Sequence, residues 1–90
     1  MKIQALHWDD ANTEHIARQG LSPADIEDVC YRGHIAFKGK YRRLILYGKT
    51  KGGEMIMVVL ERIYDQVFRL ITARSMTEKE KHSYRKKTGE

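Results

Sequence analysis

Arg69, Arg74, Lys79, Glu80, His82 and Tyr84 crowd together near the end of this chain. A phosphodiester undergoing cleavage needs cations beside its nonbridging oxygens as charge builds. It also needs an acid or base beside the attacking 2′-hydroxyl and the leaving oxygen. This stretch holds both kinds of group. Glu80 and Tyr84 are four apart and share one helical face, and Arg74 falls where a strand hands over to that helix. His15 adds an imidazole, eligible to move protons near neutral pH or to contact a substrate. Each residue also has a plain structural use. Glu80 can close a capping box on Thr77, Tyr84 can pack on a sheet, the basic residues can be solvated, and His15 can be partly buried and bonded to a neighbour.

Other chemistries find little support. His7, His15, His34 and His82 have no spacing that resembles a metal pair, and there is no His-Glu-x-x-His motif, so no metal is expected. Gly52-Gly53 lacks the lysine and hydroxyl of a phosphate-binding loop and reads as a turn. Cys30 is the single cysteine and falls on the apolar stripe of a helix, where a thiol behaves as a small hydrophobe. No internal disulfide or redox pair is open to it, and no cofactor is implied.

The elements that must position these groups read in order. Ile3 to Trp8 is a first strand, and Asp9-Asp10 offers N-cap carboxylates to a helix reaching about Gln19, with Gly20 as its C-terminal cap. Ser22-Pro23-Ala24-Asp25 is the clearest helix start: a capping serine, proline at the first helical position and a carboxylate three residues after the cap. That second helix ends near Tyr31 to Gly33. Strands follow at Ile35 to Phe37, Tyr41 to Tyr47, Met55 to Ile63 and Val67 to Arg74. Turns at Lys38-Gly39-Lys40, Gly48 to Gly53 and Tyr64-Asp65-Gln66 join them as antiparallel hairpins. Ser75 and Thr77 each precede a glutamate by three residues, and Thr77 is the favoured cap of a last helix reaching about Lys87. The final residues are expected to fray.

The totals bound the class. Ninety residues suit one domain, 1–90, with one modest core, burying only about 60 to 65 % of the surface its unfolded chain exposes. The net charge of +5 conceals a division: residues 1–30 hold two Lys or Arg against six Asp or Glu, and residues 31–90 hold fifteen against six. Such asymmetry suits a polyanion-facing surface or a merely solvated basic face. No apolar run approaches the length of a membrane span, no signal-peptide pattern opens the chain, and the lone cysteine suits a cytoplasmic protein.

Taken together, the residues resemble the BrnT family of type II toxins, small ribonucleases of the RelE-like superfamily, from about Leu6 to Arg85. At the front the resemblance lies in Trp8-Asp9, Asn12, Glu14-His15-Ile16-Ala17-Arg18 and Gly20-Leu21-Ser22-Pro23. In the middle it lies in Gly39, Tyr41, Gly48 and Val58-Val59-Leu60. At the end it lies in Arg69, Ile71-Thr72-Ala73-Arg74, Met76-Thr77, Glu80 and Tyr84, the most specific stretch. The resemblance implies an α+β, RelE-like fold in the order β-α-α-β-β-β-β-α, with an antiparallel sheet packed against helices. It also implies metal-independent RNA cleavage and a cognate ribbon-helix-helix antitoxin, through which the complex binds DNA and forms oligomers. One departure stands out. Many family members end the first helix in Lys-His-Gly, whereas this chain has Arg18-Gln19-Gly20, and Gln19 cannot serve as a general base.

The expectation is therefore a toxin-like endoribonuclease. Arg74, Glu80 and His15 are its candidate catalytic residues, and Arg69, Tyr84 and Lys79 its candidate RNA contacts. Two alternatives stand beside it: a non-catalytic module of the same fold that binds RNA or an acidic antitoxin segment, and a structural partner subunit that functions only within a complex, its sheet edge or first helix covered by another chain.

Overall fold

The computed structural model describes residues 2–89, so the terminal residues of the expected 1–90 domain, Met1 and Glu90, lie outside the described residues. The elements are β1 (Ala5–His7), α1 (Asp10–Ala17), α2 (Pro23–Tyr31), β2 (His34–Lys38), β3 (Arg43–Lys49), β4 (Met55–Tyr64), β5 (Val67–Ser75) and α3 (Glu78–Thr88). This is the expected mixed α+β order. The five strands lie in the order β1-β5-β4-β3-β2. Neighbours from β2 to β5 are antiparallel, whereas β1 lies parallel to β5. The sheet is therefore mixed rather than wholly antiparallel.

The caps explain where the helices begin. Asp9 accepts the Asn12 N–H at 2.8 Å. Ser22 and Asp25 form a reciprocal capping box with Pro23 as the first helical residue, and Thr77 and Glu80 form another. Ser75, the rival cap, is instead the last residue of β5. At the end of α1 the Gly20 N–H bonds Ala17 O and the Leu21 N–H bonds Ile16 O, a 6→1 closure made possible by Gly20 at φ 75°. Ile16 and Leu21, the apolar pair such a closure brings together, are both buried.

One face of the sheet forms the core. Leu44 and Leu46 of β3, Ile56, Val58 and Leu60 of β4, and Phe68, Leu70 and Ala73 of β5 pack with Ile16, Leu21, Ile26, Val29 and Cys30 from the helical segment. Two of those β5 residues, Leu70 and Ala73, are three apart, an odd interval that strict alternation forbids. A register shift between Val59 and Leu60 resolves it: Leu60 pairs with Leu70 and Val59 with Thr72, leaving Ile71 as an extra residue.

Both limits of β3 lie two residues later than the sequence reading. β3 begins at Arg43 rather than Tyr41, because Tyr41 and Arg42 have φ 58° and 66°, a turn conformation. It also continues through Gly48, expected in a turn. A Cβ on Gly48 would lie 2.8 Å from Val29 Cγ1 and 3.0 Å from Gly33 O, so glycine here admits α2 against the sheet. Gly48→Ala is expected to destabilise the protein by about 1–3 kcal/mol, read as a lower urea midpoint at unchanged slope.

Candidate functional site

The outer face of the sheet, turned away from α1 and α2, is where the candidate residues gather. Tyr47 of β3 pairs with Met57 of β4, which pairs with Arg74 of β5, so the three form one row across the sheet. Without the extra residue at Ile71, the alternation that sends Phe68 and Leu70 inward would send Arg74 inward too. The bulge turns it outward. α3 lies beside this face, anchored by Tyr84, the buried residue of that helix.

Glu80 is the centre of the cluster. Arg74 grips its carboxylate with two bonds, Nη1 to Oε1 at 2.7 Å and Nη2 to Oε2 at 3.0 Å. The Thr77 N–H donates to Oε1 at 2.9 Å and the Tyr47 hydroxyl to Oε2 at 3.3 Å. Such charge-assisted, forked geometry is strong. The Arg74 bonds, with help from the Thr77 amide and the Tyr47 hydroxyl, pull the Glu80 carboxyl down to about 2 against the opposing effect of burial. The same bonds raise Arg74 further, while burial and then the neighbouring Glu80 charge raise Tyr47.

A depression of about 400 Å³ opens beside this cluster, between α3 and the outer face of β2 and β3. Lys79, Glu80, Ser83, Tyr84 and Lys87 line one side, and Ile35, Phe37, Ile45 and Tyr47 the other. Lys87 Nζ stands 4.6 Å over the Phe37 ring, which meets Tyr47 edge-on at 5.8 Å. Tyr84 is 9 % exposed and offers little open ring, whereas Phe37 is 39 % exposed.

The other candidates stand at measured removes. His15 is exposed on α1, and its Nε2 lies 2.9 Å from Thr72 Oγ1. Thr72 is two residues from Arg74 along β5, about 7 Å between Cα atoms. Arg69 lies on the far side of the bulge, its Nε bonded to Glu61 at 2.7 Å. It lines a different depression, of about 600 Å³, with His7, Asp9 and Glu61 among its neighbours. Gln19 is exposed, its amide closing the end of α1 on Ile16 O. Tyr47 and Phe37 escaped the sequence reading, since alternation marks them as strand residues but says nothing of a helix arriving later to face them.

Cys30 is buried, and desolvation with the nearby Glu27 charge pushes its thiol up to about 12, so at neutral pH it is no nucleophile. Among the described residues, no group of three or more His, Cys, Asp or Glu is placed to hold a metal ion, and no helix is long and apolar enough to cross a membrane.

The Glu80 geometry has a consequence for stability. Its folded pKa lies below the ordinary 4.5. The stabilisation is therefore complete above that ordinary value and is lost as pH falls through about 2. Thermal midpoints measured between pH 5 and about 2 should fall more steeply for the wild type than for Glu80→Gln. Parallel profiles would show that the Arg74 pairing adds nothing.

No family model matches the chain, and no curated protein does. A solved structure does: the Brucella abortus ribonuclease toxin BrnT, at 1.1 Å resolution, superposes with a TM-score of 0.67 at 26 % sequence identity. The match covers 82 % of this chain and 97 % of that one. The resemblance to BrnT carried by the sequence thus holds in three dimensions, and the chain has a BrnT-like toxin fold.

Proposed function

We propose that this protein is the toxin of a type II toxin–antitoxin system and a metal-independent endoribonuclease. The observation that carries the reading is the superposition on a ribonuclease toxin over 82 % of this chain. The Arg74–Glu80 junction supplies the chemistry. Arg74 is the phosphate ligand, and at rest Glu80 holds its guanidinium in the forked geometry that a phosphate would take over. A carboxylate at about 2 is a poor proton acceptor. When the phosphate draws Arg74 away, Glu80 loses its main stabiliser and recovers basicity, so substrate binding itself arms the base. His15, beside Thr72 two residues along β5, serves as the second proton carrier. Lys79 at the rim attracts RNA, Tyr84 fixes α3 and shapes the depression, and Arg69 meets the backbone farther along the sheet.

The partners follow from the same reading: RNA as substrate, and a ribbon-helix-helix antitoxin whose acidic segment covers the basic face in the cytoplasm. A second reading draws on Gln19 and on the tie between Arg74 and Glu80. In it the chain retains RNA without cutting it, and retention weakens with salt.

One assay separates them. Purified protein is incubated with mRNA in EDTA, as wild type and as Arg74→Ala. Cleavage by wild type with a loss of about 100-fold or more in the variant is expected. Equal cleavage by both would remove Arg74 from the site. Salt-sensitive binding without products from either would establish the non-catalytic module.

A further inference from the structure

The end of the sheet remote from Arg74 carries a second concentration of nucleic-acid chemistry. Two hairpin turns meet there. Arg42 Nη2 donates to Ile63 O at 3.2 Å, the Arg62 N–H donates to Arg42 O at 3.0 Å, and Arg62 Nε donates to Asp65 O at 2.6 Å. A register shift between Arg62 and Tyr64 leaves Ile63 as an extra residue, and its carbonyl is the one Arg42 takes. The β2–β3 turn and the β4–β5 turn are thereby locked into one rigid edge.

The arginines tie the turns together, but the two tyrosines on that edge lack a folding rationale. Tyr41 is 82 % exposed and Tyr64 is 60 % exposed, the two most exposed large hydrophobic residues described. Tyr41, Arg42 and Asp65 all have left-handed φ, at 58°, 66° and 46°. Glycine or asparagine holds such backbone with less strain, so a bulky tyrosine in the turn costs stability without burying a ring. Strain that persists at an exposed aromatic residue points to a use outside the fold. Around the two rings stand Lys40, Arg42, Arg43 and Arg62, all exposed. Of the carboxylates nearby, Glu61 is already engaged with Arg69, which leaves Asp65 in the turn and Asp9 in the depression shared with Arg62 and Tyr64, so cations outnumber acids.

We propose that this edge binds single-stranded RNA, with Tyr41 and Tyr64 stacking on bases and Arg42, Arg43 and Arg62 contacting phosphates. The assignment rests on the RNA reading above and extends it to a surface outside the Arg74 junction. Exposed aromatic faces accept any base, and guanidinium groups hold the backbone beside them. The sheet rows of Arg43 and Arg74, through their β4 partners Glu61 and Met57, are four residues apart. That is about 13 Å, so one RNA strand can meet both places. The edge would grip the strand and the junction would act on it.

The test uses the full chain and a fluorescent 12-nucleotide RNA with 2′-O-methyl sugars, which lacks the attacking hydroxyl, so binding is read by anisotropy apart from cleavage. The double variant Tyr41→Asn with Tyr64→Thr suits the local backbone at each position. Its binding is expected to be at least about tenfold weaker, with cleavage of a short oligonucleotide at the Arg74 junction unchanged. Tyr41→Trp with Tyr64→Trp is expected to bind as well as wild type, which separates stacking from folding. Binding by the Asn/Thr variant within twofold of wild type would overturn the proposal. So would wild-type protein that ignores the RNA but holds a polyglutamate peptide through the same tyrosines, an outcome that gives the edge to a protein partner. Tyrosine-dependent RNA binding with no cleavage by the wild type would uphold this site while removing the nuclease reading.

Discussion

A single extra residue in β5 governs the outer face of this protein. Ile71 interrupts the alternation, so that Phe68, Leu70 and Ala73 all reach the core while Arg74 still emerges on the opposite side, level with Tyr47. A regular strand could satisfy the core or present Arg74 outward, but not both at this spacing. The bulge lets one strand serve a close-packed interior and a charged junction within a few residues.

Around Arg74 the architecture is polar rather than apolar. α3 buries one side chain, Tyr84, and is otherwise held by hydrogen bonds and charge. Glu80 binds the helix to its own cap through Thr77, to β5 through Arg74 and to β3 through Tyr47. Three elements thus converge on one carboxylate. A junction of this kind exchanges partners more readily than a hydrophobic contact, because an incoming anion can replace each bond it removes.

The sequence made some of this legible and concealed the rest for physical reasons. Caps are local, so Ser22-Pro23-Asp25 and Thr77 with Glu80 could be read directly, and both occur where expected. The order of elements was likewise readable from periodicity. The parallel pairing of β1 with β5 was not, because its partners are some sixty positions apart and nothing local encodes which edge the first strand joins. The bulge left no mark either, since Arg69-Leu70-Ile71-Thr72-Ala73-Arg74 reads as unbroken strand. Gly48 looked like turn chemistry, yet it answers to Val29 across the interface. In the candidate site, the nearness of Arg74 to Glu80 follows from their places at a strand exit and a helix start. The arrival of Tyr47 and the placing of His15 on Thr72 depend on tertiary packing, and the remove of Arg69 beyond the bulge depends on a strand irregularity.

The two helical layers are also electrically unlike. α1 and α2 carry Asp10, Glu14, Asp25, Glu27 and Asp28 with no lysine or arginine, while α3 carries Lys79, Lys81, Arg85, Lys86 and Lys87 against Glu78 and Glu80. They lie on opposite faces of one thin sheet, so the molecule is a permanent dipole. At low ionic strength a dipole turns in the field of an anionic polymer before touching it, and the fraction of collisions that arrive face-on rises. Beyond a screening length of about 8 Å at physiological salt, that torque fades. The charge division noticed first in the sequence thus bears on the rate of approach to any polyanion, a property distinct from the strength of a contact made afterwards.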